Sequence, residues 1–332
     1  METLLIKPPK RSSALRQIFI IFALICGFSI CSVCFKQSRI HIRTELTNTR
    51  VSDSSCHNYD RGGSEIHYIH YPKPKTFSRA DCAHNPVRFF AILTMQRSGS
   101  GWFETLLNSH VNVSSNGEIF NDNDRRNNIS MIVKTLDKVY NLDWLSSASK
   151  NLCSAAVGFK WMFNQGLLDH HEDIVKYFNS RGVSTILLFR KNLLRRMVSE
   201  LANSHDQRAK LLNGTHKSHV HSPEEADLLS KYKPTINLTS LIADLSRAEL
   251  TAAKALGYLR RTRHIVIYYE DLLKNKRVLA KILSFLGLPQ MNLTSRQVKI
   301  HKSRLSEHIE NWEEVNQTLH ATAYERFLST DY

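Results

Sequence analysis

Two segments of the chain, each closing an apolar run, carry the residue types best suited to chemistry. In "FFAILTMQRSGSGWFETLLNSH", Phe89 to His110, the run passes into Arg97, Ser98, Gly99, Ser100, Gly101 and Trp102 before helical spacing begins. A glycine-rich turn between strand and helix aims successive backbone N–H groups outward, and the helix behind it adds partial positive charge. The loop therefore reads as a cradle for an anion. In "ILLFRKNLLRRMVSELAN" (186–203), a second apolar run ends in Arg190 and Lys191, with Ser199 about two helical turns further on. A cation and a hydroxyl so placed could hold a second anion. A nucleoside triphosphatase would need Lys beside Ser or Thr at the start of the first helix and a magnesium-binding carboxylate after another strand. Trp102 follows Gly101 instead, and "TILLFRK" ends in cations, so metal-assisted phosphoryl transfer is disfavoured. Lys160, closing "VGFKWMF", points by position to the same strand-end crevice, although a structural or solvated cation is the plainer reading.

The elements that must position these residues follow from periodicity. Apolar runs at 88–94, 155–161, 183–189 and 264–269 read as strands, with a short fifth near Val111–Ser114. Helical spacing fills 102–108, 126–139, 167–179, 193–203, 238–261 and 272–286. Strands alternating with helices call for a parallel sheet covered on both faces, an α/β fold. "SHDQRAKLLNGTHKSHVHSPEEADLL" (204–229) reads as a long surface loop, and the tail beyond Leu288 is mixed. His216, His219 and His221 within that loop are spaced to grip a metal, but the setting is polar and no metal is expected.

The chain has 332 residues, 42% of them hydrophobic, and 45 Lys+Arg over 30 Asp+Glu give a net charge of +15. That excess favours anionic partners. Lys7, Lys10, Arg11 and Arg16 precede an uncharged run of 18 residues from Ile18 to Phe35, just long enough to span a bilayer. The expected organisation is a cytoplasmic tail (1–17), a transmembrane signal anchor (18–35), a polar stem (36–86) and a luminal domain (87–332). Such an anchor argues against nucleic acid as the partner. Sequons at Asn112, Asn128, Asn213, Asn237, Asn292 and Asn316 agree with a luminal glycoprotein. Of six cysteines, only Cys56, Cys82 and Cys153 lie outside the anchor, which permits one disulfide, such as Cys82–Cys153. Oligomeric state has no signature in the sequence.

At "QRSGSGW" and "FRKNLLRRMVS" the chain resembles the sulfotransferase superfamily that uses 3′-phosphoadenosine 5′-phosphosulfate (PAPS). The likeness is greatest to the bacterial nodulation-factor and glycolipid type and to plant membrane-anchored proteins similar to it. "NGEIF" matches that branch's Gly-Glu-hydrophobic-Phe segment and "YYEDL" (268–272) its late Tyr-Glu-Asp-Leu, so four motifs stand in order between about residues 87 and 290. The resemblance implies a P-loop-like three-layer α/β/α fold with a central sheet of about five strands. It makes residues 97–102 the 5′-phosphosulfate loop and places Arg190 or Lys191, with Ser199, on the 3′ phosphate. Glu118 becomes the base on the acceptor hydroxyl, Arg97 the cation at the leaving oxygen. The basic glycine loop that closes over the nucleotide in many relatives is not evident; "KIHKSRLSEHIENW" (299–312), with Lys302 and Arg304, is a candidate replacement. Glu270 and Asp271 are expected to cap the following helix and to tie it to neighbouring cations. A Golgi type II sulfotransferase acting on a sugar hydroxyl is the leading expectation, and an anchored, non-catalytic binder of anionic glycans the alternative.

Overall fold

The computed structural model describes residues 86–144, 154–217 and 219–329. Five parallel strands form one sheet in the order β2-β3-β1-β4-β5: β1 (Arg88–Thr94), β2 (Val113–Ser115), β3 (Ala156–Met162), β4 (Ser184–Phe189) and β5 (Arg263–Tyr268). The four long runs become strands within a residue of their expected limits, and the short one sits slightly later than expected. Each central strand is apolar on both sides because both faces are covered. Residues Ala91, Leu93, Phe159, Trp161, Leu187 and Phe189 point into one core, Phe90, Ile92, Ile186 and Leu188 into the other.

The second core is closed by α1 (Ser100–Asn108), which buries Phe103 and Leu107. The first is covered by α2 (Ile129–Tyr140), α3 (His171–Arg181), α4 (Leu193–Ala209), and later by α6 and α9. The intervening helix α5 spans Pro223–Ser230; α6 (Leu238–Leu259), α7 (Tyr269–Lys274), α8 (Lys276–Phe285) and α9 (Trp312–Leu319) complete the set. Helix α8 adds Ile282 and Leu283 to the α1 side. Three layers result, as the resemblance implies.

Side-chain caps explain where several helices depart from expectation. Asn128 accepts the Met131 N–H, so α2 starts at Ile129 instead of near Arg126. Asn275 accepts the Arg277 N–H and divides the single helix expected at 272–286 into α7 and α8. The expected surface loop 204–229 is corrected most. Its first part continues α4 to Ala209, and Ser222 with Pro223 opens α5. Leu212, Val220, Ala226 and Leu229 form a small apolar cluster with Val298 and Ile300, pinned by a bridge between Val220 and Val298.

Among the described residues no helix is long and apolar enough to cross a membrane. The expected anchor, the expected stem and Cys56, Cys82 and Cys153 lie outside the described residues.

Candidate active site

A cleft of about 650 Å³ lies at the carboxyl ends of β1, β3 and β4. The connection leaving β1 passes to α1 on one face of the sheet and that leaving β4 to α4 on the other. Open parallel sheets bind ligands where neighbouring connections diverge in this way. Arg97, Gly99, Ser100, Gly101 and Trp102 line the cleft from β1, Glu118 and Lys160 from the β3 side, Arg190 and Ser199 from β4 and α4. Both sequence segments therefore meet in one place.

The cradle loop is shaped by two contacts. Gly99 has φ +85° and caps α1 without any side-chain hydrogen bond; a Cβ there would strike the Tyr269 ring. A Cβ on Gly101 would strike the imidazole of His219. Helix α1 thus begins with no side-chain cap among the described residues, its first-turn N–H groups at the cleft wall. Ser98 departs from its expected part: its hydroxyl is fully buried, has no partner among the described residues, and does not line the cleft. Trp102 meets Tyr269 edge to face at 5.8 Å.

Arg97 crosses the cleft. Its Nε donates to Ser199 Oγ at 3.0 Å and its Nη1 to Asn203 Oδ1 at 3.2 Å, while its carbonyl accepts from Arg190 Nη1 at 3.2 Å. Burial, and then the Arg190 charge, lower its pKa to about 10, so it remains a cation at neutral pH. Arg190 lies over the Tyr269 ring at 5.3 Å, its Nε 3.9 Å from Glu270. Lys191, the alternative 3′-phosphate residue, is directed elsewhere: half exposed, it pairs with Asp271 at 2.5 Å and does not line the cleft. Glu270 and Asp271 do tie to these cations, but no side chain caps α7; Glu270 accepts the N–H groups of Lys191 and Asn192 at 2.9 and 3.3 Å. That carboxylate fixes the β4–α4 turn.

On the opposite wall is a chain of charges. Lys160 Nζ sits 3.4 Å from Glu118 and 3.7 Å from Glu104. Glu118 also accepts from Gln165 Nε2 at 2.6 Å. Glu104, buried in α1, accepts from Ser115 Oγ at 2.6 Å and from the Gly117 N–H at 2.9 Å, which props the turn bearing Glu118. Ile119 and Phe120 anchor the other side of that turn in the core, Phe120 stacking on Trp161 at 4.0 Å. Contacts of this kind contribute about 0.5–1.5 kcal/mol beyond area burial. Glu104 and Gln165 were not singled out from sequence; the available signal was a carboxylate among the apolar residues of "WFETLL".

The roof comes from the corrected loop and the tail. His219, Val220, Val298, Lys299, Ile300 and His301 line the cleft. Lys299 and His301 therefore occupy the place foreseen for Lys302 and Arg304, which are exposed and absent from the lining. Burial, followed by the charges of Lys160 and Arg97, lowers the His219 pKa to about 3; burial and His308 do the same for His301. His216, which also lines the cleft, is engaged by Asp206 at 2.6 Å, and among the described residues no group of three or more acids, histidines or cysteines could hold a metal. The lining cations Arg97, Lys160, Arg190 and Lys299 face the carboxylates Glu118 and Glu200. This excess of positive charge, with a helix start lacking a side-chain cap, fits an anionic ligand.

No protein-family model matches the chain. It is similar to nodulation protein H of Rhizobium meliloti, 25% identical over 249 residues, a match that spans 73% of this chain and 96% of that protein. Among solved structures it is similar to the sulfotransferase domain from the curacin biosynthetic pathway, 18% identical over 73% of this chain and 89% of the other, with a TM-score of 0.34. It is also similar to mouse sulfotransferase SULT7A1 complexed with PAP, 12% identical over 74% and 76% of the two chains, with a TM-score of 0.33. Scores this low carry no weight by themselves, and the relationship rests on the ordered motifs and the match to nodulation protein H. On that footing the chain is similar to nodulation protein H over most of its length, and its four ordered motifs are those by which it resembles the PAPS-dependent sulfotransferases.

Proposed function

We propose that this protein is a sulfotransferase that moves a sulfuryl group from PAPS to a hydroxyl acceptor, taken here as a sugar. One observation carries the reading: Arg97 of the cradle loop and Ser199 of α4 converge within 3.0 Å in a cleft that Lys160, Glu118 and Arg190 also line. When bound, PAPS supplies an activated sulfuryl group on a phosphate leaving group. The first turn of α1, with Ser100 and Gly101, binds the 5′ end, and Arg190 with Ser199 binds the 3′ phosphate. Glu118 takes the proton as the acceptor oxygen forms its bond to sulfur. Arg97 stabilises the charge released when the bond between sulfur and the bridging oxygen breaks. Lys160, held between Glu104 and Glu118, keeps the base in place and presents its ammonium to the transferring oxygens.

The wider proposal is a Golgi type II protein, its catalytic domain luminal and anchored by residues 18–35. The apolar run, its basic flank and the sequons support it. The rival, a glycan binder without catalysis, also uses a basic surface but has no use for a nucleotide. The deciding test incubates the protein with labelled PAPS and a panel of glycans, peptides and phenols, alongside thermal unfolding with PAP. Transfer together with protection by PAP is expected; an unfolding curve indifferent to PAP and no labelled product would favour the binder.

A further inference from the structure

One roof imidazole comes down onto the cradle. His219 lines the cleft, and the Cε1–Nε2 edge of its ring lies so close to Gly101 that a Cβ there would overlap both atoms. The charges of Lys160 and Arg97 reach the same ring. The start of α1, the end of β3 and the segment between α4 and α5 therefore meet at this point.

The chain holds the ring in place. The next residue, Val220, is buried in the apolar cluster with Leu212 and Ala226, and its carbonyl accepts the Val298 N–H at 3.0 Å. His216 is engaged by Asp206 and His221 is exposed, whereas His219 turns to the cradle. Its imidazole makes no hydrogen bond among the described residues. Burial and the two cations keep it neutral at ordinary pH, with one ring nitrogen able to donate.

We infer that His219 is a further catalytic residue, its Nε2–H donating a hydrogen bond to an oxygen of the sulfuryl group under transfer. This deepens the sulfotransferase reading and rests on it. The 5′ end assigned to the first turn of α1 and the transferring oxygens assigned to Lys160 bracket the ring. His219 keeps its proton throughout. The acceptor's proton passes to Glu118, and the electron pair of the broken sulfur–oxygen bond leaves on the phosphate. A neutral, preorganised donor adds stabilisation as charge shifts across the transferring oxygens, without adding to the cationic crowding of the cleft.

The test compares PAPS with PAP, which lacks the sulfuryl group, by titration calorimetry on the full-length protein. His219→Ala should weaken PAPS about fivefold or more, the scale of one hydrogen bond, and leave PAP within about twofold. His219→Gln, whose amide donates from a similar position, should restore most of that difference. On whichever panel compound takes the label, His219→Ala should lower kcat by about 10²–10³-fold. Should His219→Ala fail to fold, His219→Leu fills the same space without a donor and decides in its place. Equal losses for PAPS and PAP would make the ring a wall of the phosphate cradle, and a glutamine variant no better than alanine would make it packing. Either result, or a PAPS-to-PAP affinity ratio unchanged from the wild type, overturns the inference. A protein that does not bind PAP overturns the sulfotransferase reading itself, and the catalytic role with it.

Discussion

Glu118 is held from two sides, by Lys160 and by Gln165, so its position is fixed before any acceptor arrives. Glu118→Gln should lower turnover by about 10²–10⁴-fold while PAP affinity stays near that of the wild type; steady-state kinetics with calorimetry checks both. Glu104→Leu touches no part of the cleft, yet it breaks a buried pair and releases the Gly117 turn. It should destabilise the fold by about 3 kcal/mol, measurable by denaturant unfolding. Arg97, Gly99, Ser100, Gly101, Arg190 and Ser199 could be named from sequence because each sits in a short motif with its own chemical logic, and Glu118 through the family resemblance alone. Glu104 and Gln165 could not, because their roles arise only when α1, the Gly117 turn and the turn after β3 meet in space. Between Arg190 and Lys191 the sequence left a choice that depends on side-chain direction, and the fold sends only Arg190 into the cleft.

Strands and most helices were legible because apolar periodicity is a local signal. The segment after α4 was not, because its polar composition hides an apolar cluster whose partners, Val298 and Ile300, lie far along the chain. This segment and the tail build the roof, and the roof carries a pH signature. His219 and His301 have pKa values near 3 against about 6.5 when unfolded, so below pH 6.5 the unfolded chain binds more protons. Stability should be full above pH 6.5 and fall progressively as pH drops toward 3. His219→Asn with His301→Asn should flatten that dependence in thermal melts at pH 7, 6 and 5; an unchanged slope would show that the roof histidines are not its source.

For the molecule as a whole, the net charge of +15 predicts an appetite for anions, and the fold concentrates part of that charge in one cleft. PAP at about 100 times its dissociation constant should add about 2.7 kcal/mol to the stability of the folded state, raising the unfolding midpoint. Not every sequon can serve a luminal protein. Asn112 is buried at 1% exposure, whereas Asn213 and Asn292 are exposed. Glycopeptide mapping after expression in a secretory host should find sugar at Asn213 and Asn292 and none at Asn112.

The described chain enters at Pro86, ahead of the amino end of β1, while the cleft opens at the carboxyl ends of the strands. Its other extremity is differently placed, for the Phe327 carbonyl accepts a hydrogen bond from Asn192, two residues beyond Arg190. A surface or fusion partner joined through the front of the domain would sit at the far pole and leave the mouth clear. The same cargo fastened to the tail would crowd the rim, which recommends amino-terminal immobilisation for any single-molecule or biosensor work.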